Sequence, residues 1–252
     1  MDSIYVAPLL FFFIPFLFSM LGMGGAQVYV PILFWLGMDL KTEAIPLALL
    51  LNVVSTASAS VTYLSRHLVE WKIALVLGGS MAIFAPVGAR INVGLSTTQI
   101  LLFFALFTIA AAALMISGWQ PKGEKLTKGK LMTLSIPAGG ILGFIVGLLG
   151  RGGGAFVVPT LHIGGIEAKR AAATSVLAIT VAALSGFLAH LAMAARPEWI
   201  VWALCVVAVI AGSQAGSRTM AGRLQSRSIR LMFGIVLVCI ALALIVHDVI
   251  LA

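Results

Sequence analysis

Polar and glycine-rich breaks divide the chain into ten apolar runs. Five of them, at about 4–21, 24–37, 43–65, 71–90 and 97–118, precede a polar stretch, Gln-Pro-Lys-Gly-Glu-Lys-Leu-Thr-Lys-Gly-Lys, at 120–130. Five more follow, at about 132–149, 152–165, 170–194, 198–217 and 228–250. A membrane-spanning helix needs about 20 predominantly apolar residues, a length that eight of the runs approach or exceed. The second run of each set has about 14 residues, is bounded by glycines, and reads as a re-entrant or broken helix. The pattern predicts an all-α polytopic membrane protein. Its parts are an N-terminal repeat at 1–119, a basic cytoplasmic linker at 120–131 and a C-terminal repeat at 132–252.

The two sets are copies. Residues 22–33, Gly-Met-Gly-Gly-Ala-Gln-Val-Tyr-Val-Pro-Ile-Leu, align with 150–161, Gly-Arg-Gly-Gly-Gly-Ala-Phe-Val-Val-Pro-Thr-Leu, at an offset of 128. Without a gap the same offset places Gly37 on Gly165, Lys41 on Lys169, Trp71 on Trp199, Gly88 on Gly216 and Arg90 on Arg218. Eight of the twenty positions over 22–41 are identical, which marks an internal duplication.

Composition agrees with this reading. The chain is 61% apolar and 10% charged, whereas a soluble domain carries about 25% charged residues to cover its surface. The first residues, Met-Asp-Ser-Ile-Tyr, lack a basic stretch before the apolar run, so residues 4–21 read as a retained helix and not as a signal peptide. The net charge of +8 fits cytoplasmic loops of a membrane protein better than a nucleic-acid partner. Suppose each short run returns the chain to the side its preceding helix came from. Twelve of the sixteen basic residues then share one side, leaving Lys41, Arg90, Arg151 and Arg196. Ignoring the short runs gives a split of seven to nine, so the positive-inside rule prefers the first topology. It makes the two repeats inverted relative to one another and puts both termini outside. The expected location is the cell membrane, as in a bacterial inner membrane.

Inverted repeats with glycine-interrupted segments at matching positions suit a secondary transporter whose site lies where the interruptions meet. Gly24 and Gly25, and Gly152, Gly153 and Gly154, permit a sharp turn and a close approach. Each cluster opens an apolar segment, whose first N–H groups favour an anion. Helix packing through small residues is the alternative reading. Pro31 and Pro159 follow at equal spacing and are expected to kink or end the short segments. Arg151 lies among glycines within apolar sequence, where a cation needs water, an anion or a partner. Asn52, Thr174 and Ser175 offer hydrogen bonds without fixed charge, and Gln27 follows Gly24 by three residues. These ten residues form the candidate substrate site. Arg90 and Arg218 read as interfacial anchors, and His162 and His190 as structural hydrogen-bonders.

Other chemistries lack their residues. All eight acids fall at segment ends or in loops, so no mid-helix carboxylate offers a proton or sodium relay. Cys205 and Cys239 have no partner spacing for a metal or redox site. Neither a phosphate-binding loop nor a nucleophile–base–acid spacing is present. The expectation is a non-enzymatic protein without a cofactor or metal. Its partners would be a small anion and the lipid bilayer, with no nucleic acid; a homodimer is compatible with it.

At these residues the chain resembles the sulfite exporter TauE/SafE family of membrane permeases. The likeness rests on Gly22-Met23-Gly24-Gly25 with Pro31, Gly150-Arg151-Gly152-Gly153-Gly154 with Pro159, the Gly165 turn, and Ala172-Ala173-Thr174-Ser175. It implies transport of a small sulfur oxyanion, foremost sulfite export, with thiosulfate or an organosulfonate as alternative cargo. A passive anion channel, or a scaffold using the glycines only for packing, are the alternative classes. Two departures stand out: Ala26 and Ile45-Pro46-Leu47 replace a third glycine and an Ala-Thr-Ser in the first copy, and Arg151 replaces an uncharged residue in the second.

Overall fold

The computed structural model describes residues 7–92, 97–119, 128–149, 154–191 and 199–245. The first half contains α1 (Ala7–Leu21), α2 (Ala26–Trp35), α3 (Ile45–Ser65), α4 (Trp71–Asn92) and α5 (Thr97–Ser117). The second contains α6 (Lys128–Leu149), α7 (Gly154–Ile163), α8 (Ala168–Leu191), α9 (Trp199–Arg223) and α10 (Ser226–Ile245). A π-helical turn at Leu40–Ala44 runs straight into α3, so that helix is continuous from Leu40 to Ser65. The described residues contain helices and no strands. The ten apolar runs become these ten helices. The sixth begins at Lys128, four residues before the apolar run, because lysine is a good helix former.

Five of the helices are long and apolar enough to cross a membrane by the described residues alone. Side chains such as Ile83 and Ile200, 70% and 74% exposed, face outward because lipid replaces water around the bundle. The two short helices behave differently. With ten residues each, α2 and α7 rise about 15 Å, half of a hydrocarbon layer about 30 Å thick. Neither spans alone. Pro159 lies inside α7, which continues to Ile163.

The halves pack on each other more than on themselves. α4 lies against α6 and α8, α1 against α9, α3 against α8 and α9, and α5 against α10. Exchanging the halves converts each of these pairings into another of the same set or, for α3 with α8 and α5 with α10, returns it unchanged. Glycines four residues apart line two close crossings. Were Gly212 and Gly216 of α9 given side chains, each Cβ would stand 2.1 Å from a carbonyl oxygen of α1, Phe12 and Phe16 respectively. Gly139 and Gly143 of α6 meet Leu77 and Met81 of α4 in the same way. Small residues at this spacing let membrane helices approach backbone to backbone. Since the contacts advance in step, α1 runs parallel to α9, and α6 parallel to α4.

Polar contacts collect at one end of the bundle. Arg170 at the start of α8 pairs with Glu70 before α4, at 2.6 Å. Lys169 donates to the carbonyls of Ala221 and Leu224 at the end of α9, at 2.9 Å each. Arg230 of α10 covers Gly118 after α5. Lys72, Lys169, Arg170, Arg223, Arg227 and Arg230 therefore share an end, as their expected side requires. The chain leaves this end in α6, and the turn between α7 and α8 returns to it.

Candidate functional site

The first glycine turn lies deep in the bundle. Gly22 and Gly24 take φ of +75° and +66°, left-handed values that glycine adopts without a steric penalty. This reversal separates α1 from α2 and points the start of α2 at α3. There Asn52, 3% exposed, sits at the midpoint of the continuous helix from Leu40 to Ser65. Its Oδ1 accepts the Gly25 N–H at 2.8 Å and the Ala26 N–H at 3.3 Å. Two of the first N–H groups of α2 are thus satisfied by a side chain from another helix. From the sequence alone those donors are free for a ligand; in the fold the Asn52 amide oxygen occupies them, and its NH2 group is the donor that remains to it.

Ser175 holds the same turn from the other half. Its hydroxyl approaches the Gly22 carbonyl, and also lies 3.0 Å from the Ala172 carbonyl of its own helix. A Cβ on Gly22 would stand 2.3 Å from that Ala172 oxygen, so α8 touches the turn through backbone. The second turn arrives as well: a Cβ on Gly154 would fall 1.4 Å from the Met23 carbonyl oxygen. The two duplicated motifs are in contact. Gly24, Gly25, Asn52, Gly154 and Ser175 form one junction between α2, α3, α7 and α8.

The other candidates are distributed differently. Thr174 is fully buried but faces the bundle end, where its Oγ1 accepts the Glu70 N–H at 3.1 Å. Arg151, Gly152 and Gly153 lie outside the described residues, as does the side chain of Gln27. Arg90 and Arg218 are exposed, consistent with anchoring. His162 is buried, its Nδ1 lying 3.2 Å from the Ile166 carbonyl; the side chain of His190 is outside the described residues. Thr180 and Ser185 bond back to their own helix, at Val176 and Ala182, the common fate of a hydroxyl inside a helix.

Two residues complete the junction that sequence reasoning did not select. The Tyr29 ring folds over Gly25, so that a Cβ there would stand 2.4 Å from the tyrosine hydroxyl, and Phe11 packs edge-on against it at 5.1 Å. This hydroxyl, fully buried, lies near Ser55 of α3, itself 1% exposed. Neither makes a hydrogen bond of acceptable geometry within the protein. A buried hydroxyl without a well-aligned partner costs up to about 1–3 kcal/mol; these two adjacent hydroxyls offset part of that for one another, and a polar guest beside the helix start would offset the rest. Below them runs a polar seam between α1, α3 and α9. Ser19 donates to Ser213 at 3.0 Å, Ser213 to the Ser55 carbonyl at 2.6 Å, and Tyr63 to the Ser19 carbonyl at 2.7 Å. Gln214 reaches Ser58, donating to its carbonyl at 2.7 Å, and accepts from Thr62 at 3.1 Å. The one signal for this seam in the sequence is Ser213-Gln214, polar within an otherwise apolar run. Among the described residues no cluster of His, Cys, Asp or Glu is arranged to hold a metal ion.

The family model described as "Sulfite exporter TauE/SafE" matches residues 7–244, and so covers both glycine turns and every helix that meets them. The chain belongs to the TauE/SafE family. It is accordingly a multi-pass membrane transporter. Among TauE/SafE relatives it is similar to "Probable membrane transporter protein YunE" of Bacillus subtilis (strain 168), with 25% identity across 90% of this chain and 92% of the relative. It is also similar to "Probable membrane transporter protein MJ0441" of Methanocaldococcus jannaschii, with 27% identity across 71% of this chain and 69% of the relative. No solved structure matches the chain.

Proposed function

We propose that this protein is a secondary transporter that moves a small sulfur oxyanion, foremost sulfite, out of the cytoplasm. The observation that carries the reading is the junction of the two glycine turns at the midpoint of the continuous helix from Leu40 to Ser65, with two poorly satisfied buried hydroxyls, Tyr29 and Ser55, beside a helix start. A small oxyanion needs several hydrogen donors and little fixed charge. The Asn52 NH2 group, the Tyr29 and Ser55 hydroxyls and the remaining N–H groups of the turn are donors of that kind. Arg151, with Gly152 and Gly153 beside it, follows α6 directly and would add the one full positive charge. Gln27 and Ser175 stay candidates, Ser175 through the turn it holds; Thr174, which faces the bundle end and accepts from the Glu70 N–H, does not. The family's description supports sulfur oxyanions over other small anions.

The two halves are read as inverted repeats. The pairings that map onto themselves when the halves are exchanged support this, as does the gathering of basic residues at one end. The linker and that basic end then face the cytoplasm, with both termini outside. Rocking of one half against the other about the junction would expose it alternately to each side. The test is flux in proteoliposomes containing the purified protein. Saturable sulfite movement that stops in the Arg151→Ala protein supports a carrier. Sulfite movement no faster than in empty liposomes would overturn the proposal, and ohmic current without saturation would replace the carrier by a channel.

A further inference from the structure

A second polar site lies far from the junction, at the basic end of the bundle. A cavity of about 420 Å3 opens there between the end of α7 and the starts of α8 and α10, lined by His162, Glu167, Ser226, Arg227 and Arg230, among others. Its charge is unbalanced. Neither α8 nor α10 has an acid in its first turn, so two helix starts add their partial positive charge to two guanidinium groups. The one carboxylate, Glu167, accepts a hydrogen bond from the Ser226 hydroxyl. Lys169 turns away to the carbonyls that end α9. Among the described residues neither Arg227 nor Arg230 has an ion-pair partner, and Arg230 Nε is buried without a hydrogen-bond acceptor.

The fold does not require these arginines. At the 128-residue offset, Ser226, Arg227 and Arg230 correspond to Thr98, Gln99 and Leu102. The first half builds the same helix start with no charge at all. Two cations without an ion-pair partner among the described residues, placed at one helix start and not at its copy, point to a ligand on that side. Size narrows the ligand. The volume lies within the range of about 300–1,000 Å3 typical of small-molecule sites, more room than a bare tetrahedral anion fills. Exposed Trp119 lies next to Gly118, the residue covered by the Arg230 guanidinium. Exposed tryptophan marks the level of the lipid headgroups.

We propose that this pocket binds the phosphate group of an anionic phospholipid, held by Arg227 and Arg230 with the Ser226 end of α10 beneath it. The phosphate lies between the starts of α8 and α10, and Arg230, whose guanidinium also covers Gly118 after α5, links that site to a helix of the first half. The proposal is independent of the transported cargo. A basic residue near a membrane surface contributes about 1 kcal/mol to binding an anionic lipid, which is about fivefold in affinity per arginine.

Native mass spectrometry of the full-length protein in neutral detergent tests this, with phosphatidylglycerol, phosphatidylcholine and inorganic phosphate as separate probes. The expected result is a retained phosphatidylglycerol adduct and little phosphatidylcholine. Arg227→Gln and Arg230→Leu, which install the residues of the first half, each lower phosphatidylglycerol affinity about fivefold. Arg227 is exposed, so its variant reports even if the Arg230 change disturbs folding; Arg90→Gln, distant and exposed, leaves binding unchanged. Equal retention of the two lipids, or undiminished phosphatidylglycerol binding in Arg227→Gln, would overturn the site. Inorganic phosphate that displaces the lipid at equal concentration would overturn the lipid as its occupant in favour of the free anion.

Discussion

Replacing Asn52 by alanine removes the single side-chain atom that accepts both the Gly25 and the Ala26 N–H. The site is closed to solvent, and the cavity left by the amide is flanked by Thr56 and the glycine turn, so the donors find no ready substitute. Each unsatisfied buried donor costs about 1–3 kcal/mol. The weaker geometry of the second bond places the sum at about 2–4 kcal/mol. For a chain of this size, 1 kcal/mol corresponds to about 2–4 °C, so Asn52→Ala should lower the melting temperature by about 5–15 °C. Asn52→Asp separates structure from function. It keeps an acceptor of the same shape at a helix start, where negative charge is favoured, and should melt within a few degrees of the parent. The carboxylate replaces the NH2 donor, however, and repels an incoming anion. Sulfite uptake or efflux should fall to background in this stable protein. Thermal unfolding followed by fluorescence, paired with proteoliposome flux, reads both quantities. An unchanged melting temperature for Asn52→Ala would refute the capping role, and parental flux in Asn52→Asp would refute the anion site.

Four further outcomes follow from the same geometry. Ser175→Ala should cost about 1 kcal/mol and lower the melting temperature by a few degrees, because Ser175 ties the Gly22 carbonyl to α8. Gly216→Leu should cost more, about 1–3 kcal/mol or beyond, since its side chain must displace the α1 backbone at Phe16; the fraction of protein that stays monodisperse in detergent measures it. Tyr29→Phe removes one hydroxyl that lacks a well-aligned hydrogen bond, so it should leave stability without ligand nearly unchanged while reducing sulfite-dependent stabilisation. Arg151→Ala should weaken anion binding far more than Arg196→Ala does, and equal effects in isothermal titration would count against a ligand-facing Arg151.

Legibility in the sequence followed the range of the interactions. The ten helices are legible because insertion depends on local apolar length, which the 14-residue runs between glycines report as faithfully as the long ones. The meeting of the glycine turns was legible through duplication: two copies of one motif at matching positions belong at a common interface, and Gly154 touches Met23. The partners of individual side chains were not legible. Asn52 reads as a ligand donor until the turn folds back onto α3 and takes its oxygen. Thr174 and Ser175 are neighbours in the chain, yet on α8 they point to different places, one to the α3–α4 turn and the other to Gly22. The Ser19–Ser213 bond joins residues 194 positions apart, and no local pattern pairs them. Tyr29 reads as a packing residue; its buried hydroxyl beside Ser55, without a well-aligned hydrogen bond, distinguishes it, and that is a property of the folded junction.

The most direct test is the thermal stability of the purified protein against sulfite, thiosulfate, sulfoacetate, taurine, sulfate, phosphate and chloride at matched ionic strength. A ligand that binds only the folded protein stabilises it in proportion to the logarithm of its concentration over its dissociation constant. The account predicts a rise in melting temperature with sulfite, or with one closely related sulfur oxyanion, that disappears in Asn52→Asp. Equal shifts with every salt, or no shift with any of them, would contradict a specific anion site at the junction of the two turns and leave the glycines to helix packing alone.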